Sequence, residues 1–211
     1  MRWLAIGVMV VDHVGAVLLS PADAAPLRAV GRIAWPLFAF LMAYNVAVRG
    51  VDPQRYLRPL LLWGVIAQLP HYLAFDRFVV SILGTLFLAA AALTLLDRRE
   101  RLRQRSPALF PLLLLGVLLA SSFAEYGPLG VGLVLAFRWA LNEGGPLPWL
   151  FVLLATALTN QPWSNWPMAL LALPLPFLVA RSPLSLPRSG RLPWLFYPAH
   201  LLVLALLNGV G

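Results

Sequence analysis

Long apolar runs recur along the whole chain, and they constrain its fold more than any other feature. Runs of about 15 to 20 residues alternate with short segments rich in arginine, proline or glycine, and a helix needs about 20 apolar residues to cross a bilayer. Charged residues make up 11% of the chain and hydrophobic residues 61%, whereas about 25% of a soluble domain is charged. Because a soluble fold cannot bury so much apolar surface, an ordinary soluble enzyme, a nucleic-acid-binding domain and a disordered chain are excluded.

The runs predict an all-α fold, a polytopic transmembrane bundle of about nine helices. No linker is long enough to divide the chain, so we expect a single integral membrane domain over 1–211. The sixth and seventh helices are short, and we expect them to be tilted, half-buried or re-entrant. The predicted spans are 3–20, 29–48, 58–75, 78–96, 107–123, 129–141, 147–161, 166–180 and 192–209.

The arginines predict the orientation of the bundle. All 16 basic residues are arginine, and 13 of them fall in alternate loops; the other three are Arg28, Arg32 and Arg77. Because cytoplasmic loops are enriched in basic residues, nine helices with a cytoplasmic N-terminus place all 13 inside. The five arginines within 98–105 indicate contact with anionic lipid, or attraction of an anionic cytosolic cofactor.

The first apolar run also permits a second interpretation. Met1-Arg2, the apolar run and Ala22-Asp23-Ala24 imitate a signal peptide with its cleavage site. Asp12 and His13 lie in the middle of that run, where a signal core is normally uncharged. We therefore expect a retained membrane helix.

Three polar residues lie where a membrane helix should be apolar. Asp12 is about 14 Å into the first helix, near the bilayer midplane, and an isolated Asp or Arg there costs about 2.5–3.5 kcal/mol. Adjacent side chains point about 100° apart on a helix, so Asp12 and His13 cannot face one partner squarely. We expect His13 to face a cavity as a general base, and Asp12 to orient a neighbour or to pair with Arg32. The alternative is a purely structural ion pair beside a buried, satisfied histidine.

The remaining candidate residues are less distinctive. His71 is expected at the outer membrane interface, and His200 follows Pro198, which either shapes a site or only kinks the last helix. Glu125 precedes Tyr126-Gly127-Pro128, a segment that can turn tightly or re-enter the membrane. This carboxylate could bind an amine, take part in proton transfer, or simply be solvated in a turn.

Several chemistries are excluded by what the sequence lacks. Without lysine there is no Schiff base, and without cysteine there is no disulfide, thiol nucleophile or thiolate metal site. The three histidines are widely spaced and have no clustered carboxylate, so no metal site is predicted.

Four stretches in a fixed order resemble a known family. They are Asp12-His13-Val14-Gly15, Leu27–Phe40, Glu125–Val131 and Phe196–Leu201. Together with Gln68-Leu69-Pro70, their order is similar to that of the TraX family, named for the conjugative F-pilin acetylase. The resemblance covers nearly the whole chain.

The resemblance implies a bacterial inner-membrane acyltransferase. Such an enzyme would move an acetyl group from cytosolic acetyl-CoA to an amine, such as a pilin N-terminus, or to a hydroxyl of an envelope glycan, among membrane lipids and without nucleic acid or metal. The residues it implies are His13, Asp12 and His200 for catalysis, and Arg32, Tyr126, Tyr197, Glu125 and Gln68 for binding substrate or cofactor.

Two other classes of function remain open from the sequence. The intramembrane charges at Asp12 and Arg32, with His13, could form the relay of a small proton-coupled transporter or flippase. A non-enzymatic assembly factor for pili or the envelope is the other alternative. Both predict no covalent modification of an acceptor.

Overall fold

The computed structural model describes residues 1–160, 166–181, 190 and 192–209, and the regular elements in these ranges are helices. The helices are α1 (Arg2–Leu18), α2 (Pro21–Gly31), α3 (Ala34–Ala47), α4 (Gln54–Phe75), α5 (Ile82–Asp97), α6 (Arg99–Arg105), α7 (Leu109–Ser121), α8 (Gly127–Glu143), α9 (Pro146–Leu158), α10 (Trp166–Leu170), α11 (Leu175–Ala180) and α12 (Leu192–Asn208).

The prediction of an all-α chain is confirmed for the described residues, whereas the count of nine spans is not. Among those residues, one stretch, Pro21–Ala47, is long and apolar enough to cross a membrane by length and composition. Shorter apolar helices of 10–17 residues lie elsewhere in the described part of the chain. The nine spans and the cytoplasmic N-terminus therefore stay predictions. Two of the arginines that indicate the orientation, Arg188 and Arg191, lie outside the described residues.

The structure divides the predicted second span into two helices. Helix α2 begins at Pro21, earlier than expected, because the Ser20 side chain caps it: the hydroxyl accepts from the Asp23 backbone N–H and donates to the Asp23 carboxylate. A turn at Arg32 and Ile33 then separates α2 from α3. The Ala22-Asp23-Ala24 segment thus forms the first turn of a helix.

Two other predicted elements also differ. The arginine-rich segment, expected as a loop, forms the short helix α6. The predicted eighth helix is interrupted between α10 and α11. Pro174 and Pro176 explain the break, because proline lacks the backbone N–H that would continue the helix and disfavours helical geometry in the residue before it.

Contacts between Cα atoms divide the chain into two compact units. The first unit comprises Met1–Leu41, Ile66–Phe78 and Thr156–Gly211, and the second comprises Met42–Val65 and Val79–Ala155. Helices α1, α2 and α12 pack in the first unit, and α5, α7 and α8 pack in the second. The single domain over 1–211 stays a prediction.

The distribution of polar and apolar side chains is that of a membrane-associated protein. Large apolar side chains such as Val65, Leu112 and Leu206 are 69%, 63% and 63% exposed. A soluble protein rarely exposes many large apolar side chains together. Polar Ser81 and Thr85 are instead fully buried. Membrane lipid would cover the apolar surface at little cost, because it has the same polarity.

Glycines let α1 and α2 approach closely. A Cβ atom on Gly15 would lie 2.9 Å from the Cβ atom of Leu27, and one on Gly31 would overlap the Asp12 carboxylate. Real Cβ atoms do not approach so closely, so the two glycines keep the helix contact and leave room for Asp12.

Gly31→Ala is therefore expected to destabilise the protein by about 1–3 kcal/mol, because the added methyl group must displace Asp12. Thermal unfolding in detergent would measure this loss. Gly7→Ala is the matched control, since a Cβ on Gly7 of α1 meets nothing within 4 Å. We expect that control to be neutral or stabilising by about 0.5–1 kcal/mol. Equal behaviour of the two variants would contradict the proposed close contact.

Candidate active site

The centre of the candidate site is a pair of histidines from the two ends of the chain. Helix α1 holds His13 at 6% exposure, and its Nδ1 lies 2.8 Å from Nε2 of His200 on α12. The ring planes are parallel within 3° and their centres are 5.1 Å apart. With the two nitrogens this close and the centres this distant, the rings meet edge to edge, which is the geometry of a direct N–H···N hydrogen bond.

A backbone carbonyl determines which nitrogen carries each hydrogen when both rings are neutral. Nδ1 of His200 lies 3.0 Å from the Phe196 carbonyl oxygen. Because a carbonyl can only accept, Nδ1 of His200 is the donor and its Nε2 must accept from Nδ1–H of His13. Nε2 of His13 is then left with a lone pair, and no described residue forms a hydrogen bond with it. That atom can accept a proton or attack an electrophile.

Aromatic rings surround the histidine pair. Phe75 of α4 meets His13 edge-on at 5.1 Å between centroids, and Tyr197 lies 6.4 Å from His13 and 5.5 Å from His200. Phe196 stacks on His200 at 5.0 Å. Such surroundings keep water away and strengthen the hydrogen bond between the rings. His13 is therefore buried with the His200 ring as its hydrogen-bond partner, and its expected role as a reacting group stays a prediction.

His71 is buried within the protein, and its expected place at the membrane interface stays a prediction. It is 3% exposed, and its ring centroid lies 4.9 Å from that of Phe75. The same phenyl ring thus contacts both His71 and His13. The spacing of His71 and Phe75 is the missed signal, because residues four apart share one face of a helix.

The partner of Asp12 is Arg28 and not Arg32. An Nη1–Oδ2 distance of 2.6 Å joins Arg28 to Asp12, and their side chains are 27% and 17% exposed. Arg28 and Arg32 are four residues apart, so the sequence placed both near the same face of α2 and could not choose between them. Arg32 follows the last residue of α2, and its Nε is buried without a hydrogen bond to any described residue.

Asp12→Asn is expected to lower the free energy of unfolding by about 1–3 kcal/mol, because Arg28 would lose its counter-charge in a half-buried place. Adding Arg28→Gln should restore part of that loss, since no unpaired charge then remains. A double-mutant cycle of thermal unfolding in detergent measures the coupling. Strictly additive losses would show that the two side chains do not stabilise each other.

The predicted binding residues fall in different parts of the chain. Tyr197 is buried beside the histidine pair, and half-buried Gln68 lies on α4 within the first unit. Glu125 and Tyr126 belong to the second unit, just before α8. The structure thus brings His13, His200 and Tyr197 together, with Asp12 adjacent in the chain.

The turn that carries Glu125 and Tyr126 is tied by its backbone to the start of α5. Val80 pairs with Ala124 in an isolated bridge: Val80 N–H donates to Phe123 O, and Glu125 N–H donates to Val80 O, both at 2.9 Å. Glu125 is exposed, and the three roles that the sequence left open for its carboxylate stay open. Gly127 has a φ of +57°, which explains the need for glycine at this position.

No group of three or more histidine, cysteine or acidic side chains in the described part of the chain could hold a metal ion. The polar groups at or next to the histidine pair are the imidazoles, the Tyr197 phenol and the Asp12–Arg28 ion pair. These groups suit proton transfer and the stabilisation of negative charge.

The comparisons with known proteins identify the family. The family model described as "TraX protein" matches residues 1–208. Protein TraX of Escherichia coli is 30% identical over 213 aligned positions, which cover 98% of this chain and 85% of the relative. No solved structure matches the chain. A match over nearly the full length of both proteins means that this chain belongs to the TraX family.

Proposed function

We propose that this protein is an integral membrane acyltransferase that moves an acetyl group from acetyl-CoA to an amine or hydroxyl acceptor. The observation that carries the proposal is the hydrogen-bond chain from the Phe196 carbonyl through His200 to His13. It leaves the lone pair of a buried imidazole on Nε2, which is the state a general base must have.

The reaction needs one proton acceptor and one source of positive charge. His13 Nε2 takes the proton of the acceptor N–H or O–H as the acceptor's nitrogen or oxygen bonds to the thioester carbonyl carbon. The C–S bond then breaks, and His13 returns the proton to the sulfur of the leaving CoA. Tyr197 O–H and the Arg32 guanidinium are the candidate donors to the oxyanion that forms between these steps.

A transient acyl-histidine is the second route open to the same atom. Nε2 of His13 would bond to the carbonyl carbon and expel the CoA thiolate, and the acceptor would then displace the neutral imidazole and give its proton to that thiolate. Both routes need a neutral His13 with its lone pair on Nε2. His200 serves both, because the hydrogen bond from Nδ1 grows stronger when His13 becomes positively charged.

The acceptor proposed from the family is a pilin N-terminal amine, with an envelope glycan hydroxyl as the other candidate. The proposed location is the inner membrane of a bacterium, with acetyl-CoA reaching the protein from the cytoplasm. A transporter or an assembly factor would use the same membrane fold but would leave the acceptor unmodified.

Label transfer separates these functions. Membranes containing the protein are incubated with acetyl-CoA labelled in the acetyl group and with purified pilin or envelope glycan. We expect protein-dependent labelling of the acceptor, absent from membranes lacking the protein. Movement of a substrate across the membrane without any labelled acceptor would instead favour a transporter.

A further inference from the structure

A cavity lies in the second unit, formed by residues distant in sequence from the histidine pair. It has a volume of about 440 Å³ and is formed where α3 and α5 end and α4 and α6 begin. The arginine distribution assigns this end of the helices to the cytoplasm. The charged side chains in its wall are Asp52, Asp97, Arg98, Arg101 and Arg138.

Both acidic side chains of the cavity are already engaged. Asp97 forms an ion pair with Arg138, which also donates to the Leu93 carbonyl at 3.3 Å. Asp52 accepts from the Gln54 backbone N–H at 2.9 Å, as a residue that begins a helix does. Asp97 therefore neutralises Arg138, and Asp52 is held at the start of α4.

Arg98 and Arg101 differ from the acidic side chains of the cavity in their contacts. In the part of the chain that the structure describes, neither guanidinium has an ion pair or a hydrogen bond. Their neighbours Arg99 and Arg103 both pair with Glu100, at 3.2 Å and 3.9 Å. Among the described residues, Arg98 and Arg101 thus line the cavity without an ion pair, while Arg99 and Arg103 share the one carboxylate of Glu100.

We propose that this cavity is a phosphate-binding site, with Arg98 and Arg101 as the groups that hold the anion. Guanidinium groups bind phosphate oxygens with two parallel hydrogen bonds, and two of them match the charge of a phosphate monoester or a pyrophosphate. The volume lies in the range of small-molecule sites, about 300–1,000 Å³. The phosphates belong either to a soluble ester such as CoA, which rests on the proposed function, or to an anionic lipid headgroup.

Binding measurements test the site without requiring turnover. Purified full-length protein in detergent is titrated with CoA by calorimetry, and with phosphatidylglycerol by native mass spectrometry. The test variant is Arg98→Ala/Arg101→Ala, and the matched control is Arg99→Ala/Arg103→Ala, which removes the same charge from the same segment. All four side chains are exposed, so neither variant should unfold the chain.

We expect the test variant to weaken binding of one probe by at least about tenfold, and the control by less than about threefold. A loss confined to CoA identifies the soluble ester, and a loss confined to phosphatidylglycerol identifies the lipid headgroup. Equal effects of the two variants on both probes would overturn the site, as would an unchanged affinity in the test variant. If the protein transfers label but its binding of CoA and lipid does not depend on Arg98 and Arg101, the proposed function stands and only the phosphate-binding site is rejected.

Discussion

Replacing His13 with alanine should reduce acetyl transfer by about 10²–10⁴-fold, which is the usual contribution of a general base. The reason is that Nε2 of His13 is the nitrogen left with a lone pair by the hydrogen bonds of the pair. If the imidazole also carries the acyl group, the loss should be greater still. The measurement is transfer of labelled acetyl groups to the acceptor by purified protein at matched concentration.

The control for this experiment is His71→Gln, which removes another buried imidazole that contacts Phe75. His71 forms no hydrogen bond with His13, so we expect transfer to fall by no more than a few-fold. Both variants must retain the helical circular dichroism and membrane insertion of the parent. Undiminished acetylation by the folded His13→Ala protein would remove His13 from the chemistry.

Replacing His200 with alanine should lower the turnover number by about 10- to 10²-fold, the usual effect of removing a group that orients another. The His13 Nδ1–H would lose its acceptor, and the ring could place its hydrogen on Nε2, where the lone pair is required. Because His200 acts through His13 and need not touch substrate, KM should change much less than kcat.

His200→Gln tests the orienting role directly. The amide oxygen of glutamine can accept the hydrogen bond from Nδ1–H, so this variant should recover most of the activity lost in the alanine protein. Nitrogen-15 NMR of labelled histidine should show hydrogen on Nδ1 of His13 in the parent and in the glutamine variant. If both variants lose activity equally while His13 keeps that tautomer, His200 has only a packing role.

The helices were predictable from the sequence, but their ends were less so. The apolar run over 107–123 located α7 (Leu109–Ser121) well, because hydrophobicity alone marks such a segment. Hydrophobicity could not show that Ser20 caps α2 or that Arg32 and Ile33 form a turn, because caps and turns depend on local hydrogen bonds. The same limit applies to α6, because its arginine-rich sequence predicted a loop between apolar runs and the segment forms a short helix.

Candidate members of the site could be proposed from the sequence, but their pairing could not. Buried polar residues are costly enough that Asp12 and His13 stood out by position alone. The contact of His13 with His200 joins residues 187 apart, and no periodicity within a single helix can specify it. The pairing of Asp12 with Arg28 and not with Arg32 likewise depends on how α1 and α2 pack, which the spacing within α2 does not specify.

The bridge between Val80 and Ala124 uses only main-chain atoms. Every residue has a peptide carbonyl and every residue except proline has a peptide N–H, so the two hydrogen bonds among Val80, Phe123 and Glu125 do not depend on the side chains at these positions, proline at Val80 or Glu125 excepted. The side chains at these positions can therefore differ among relatives, and the same two backbone hydrogen bonds can still hold the turn before α8. The structural similarity of relatives at this bridge would remain recognisable after their sequences there were no longer similar.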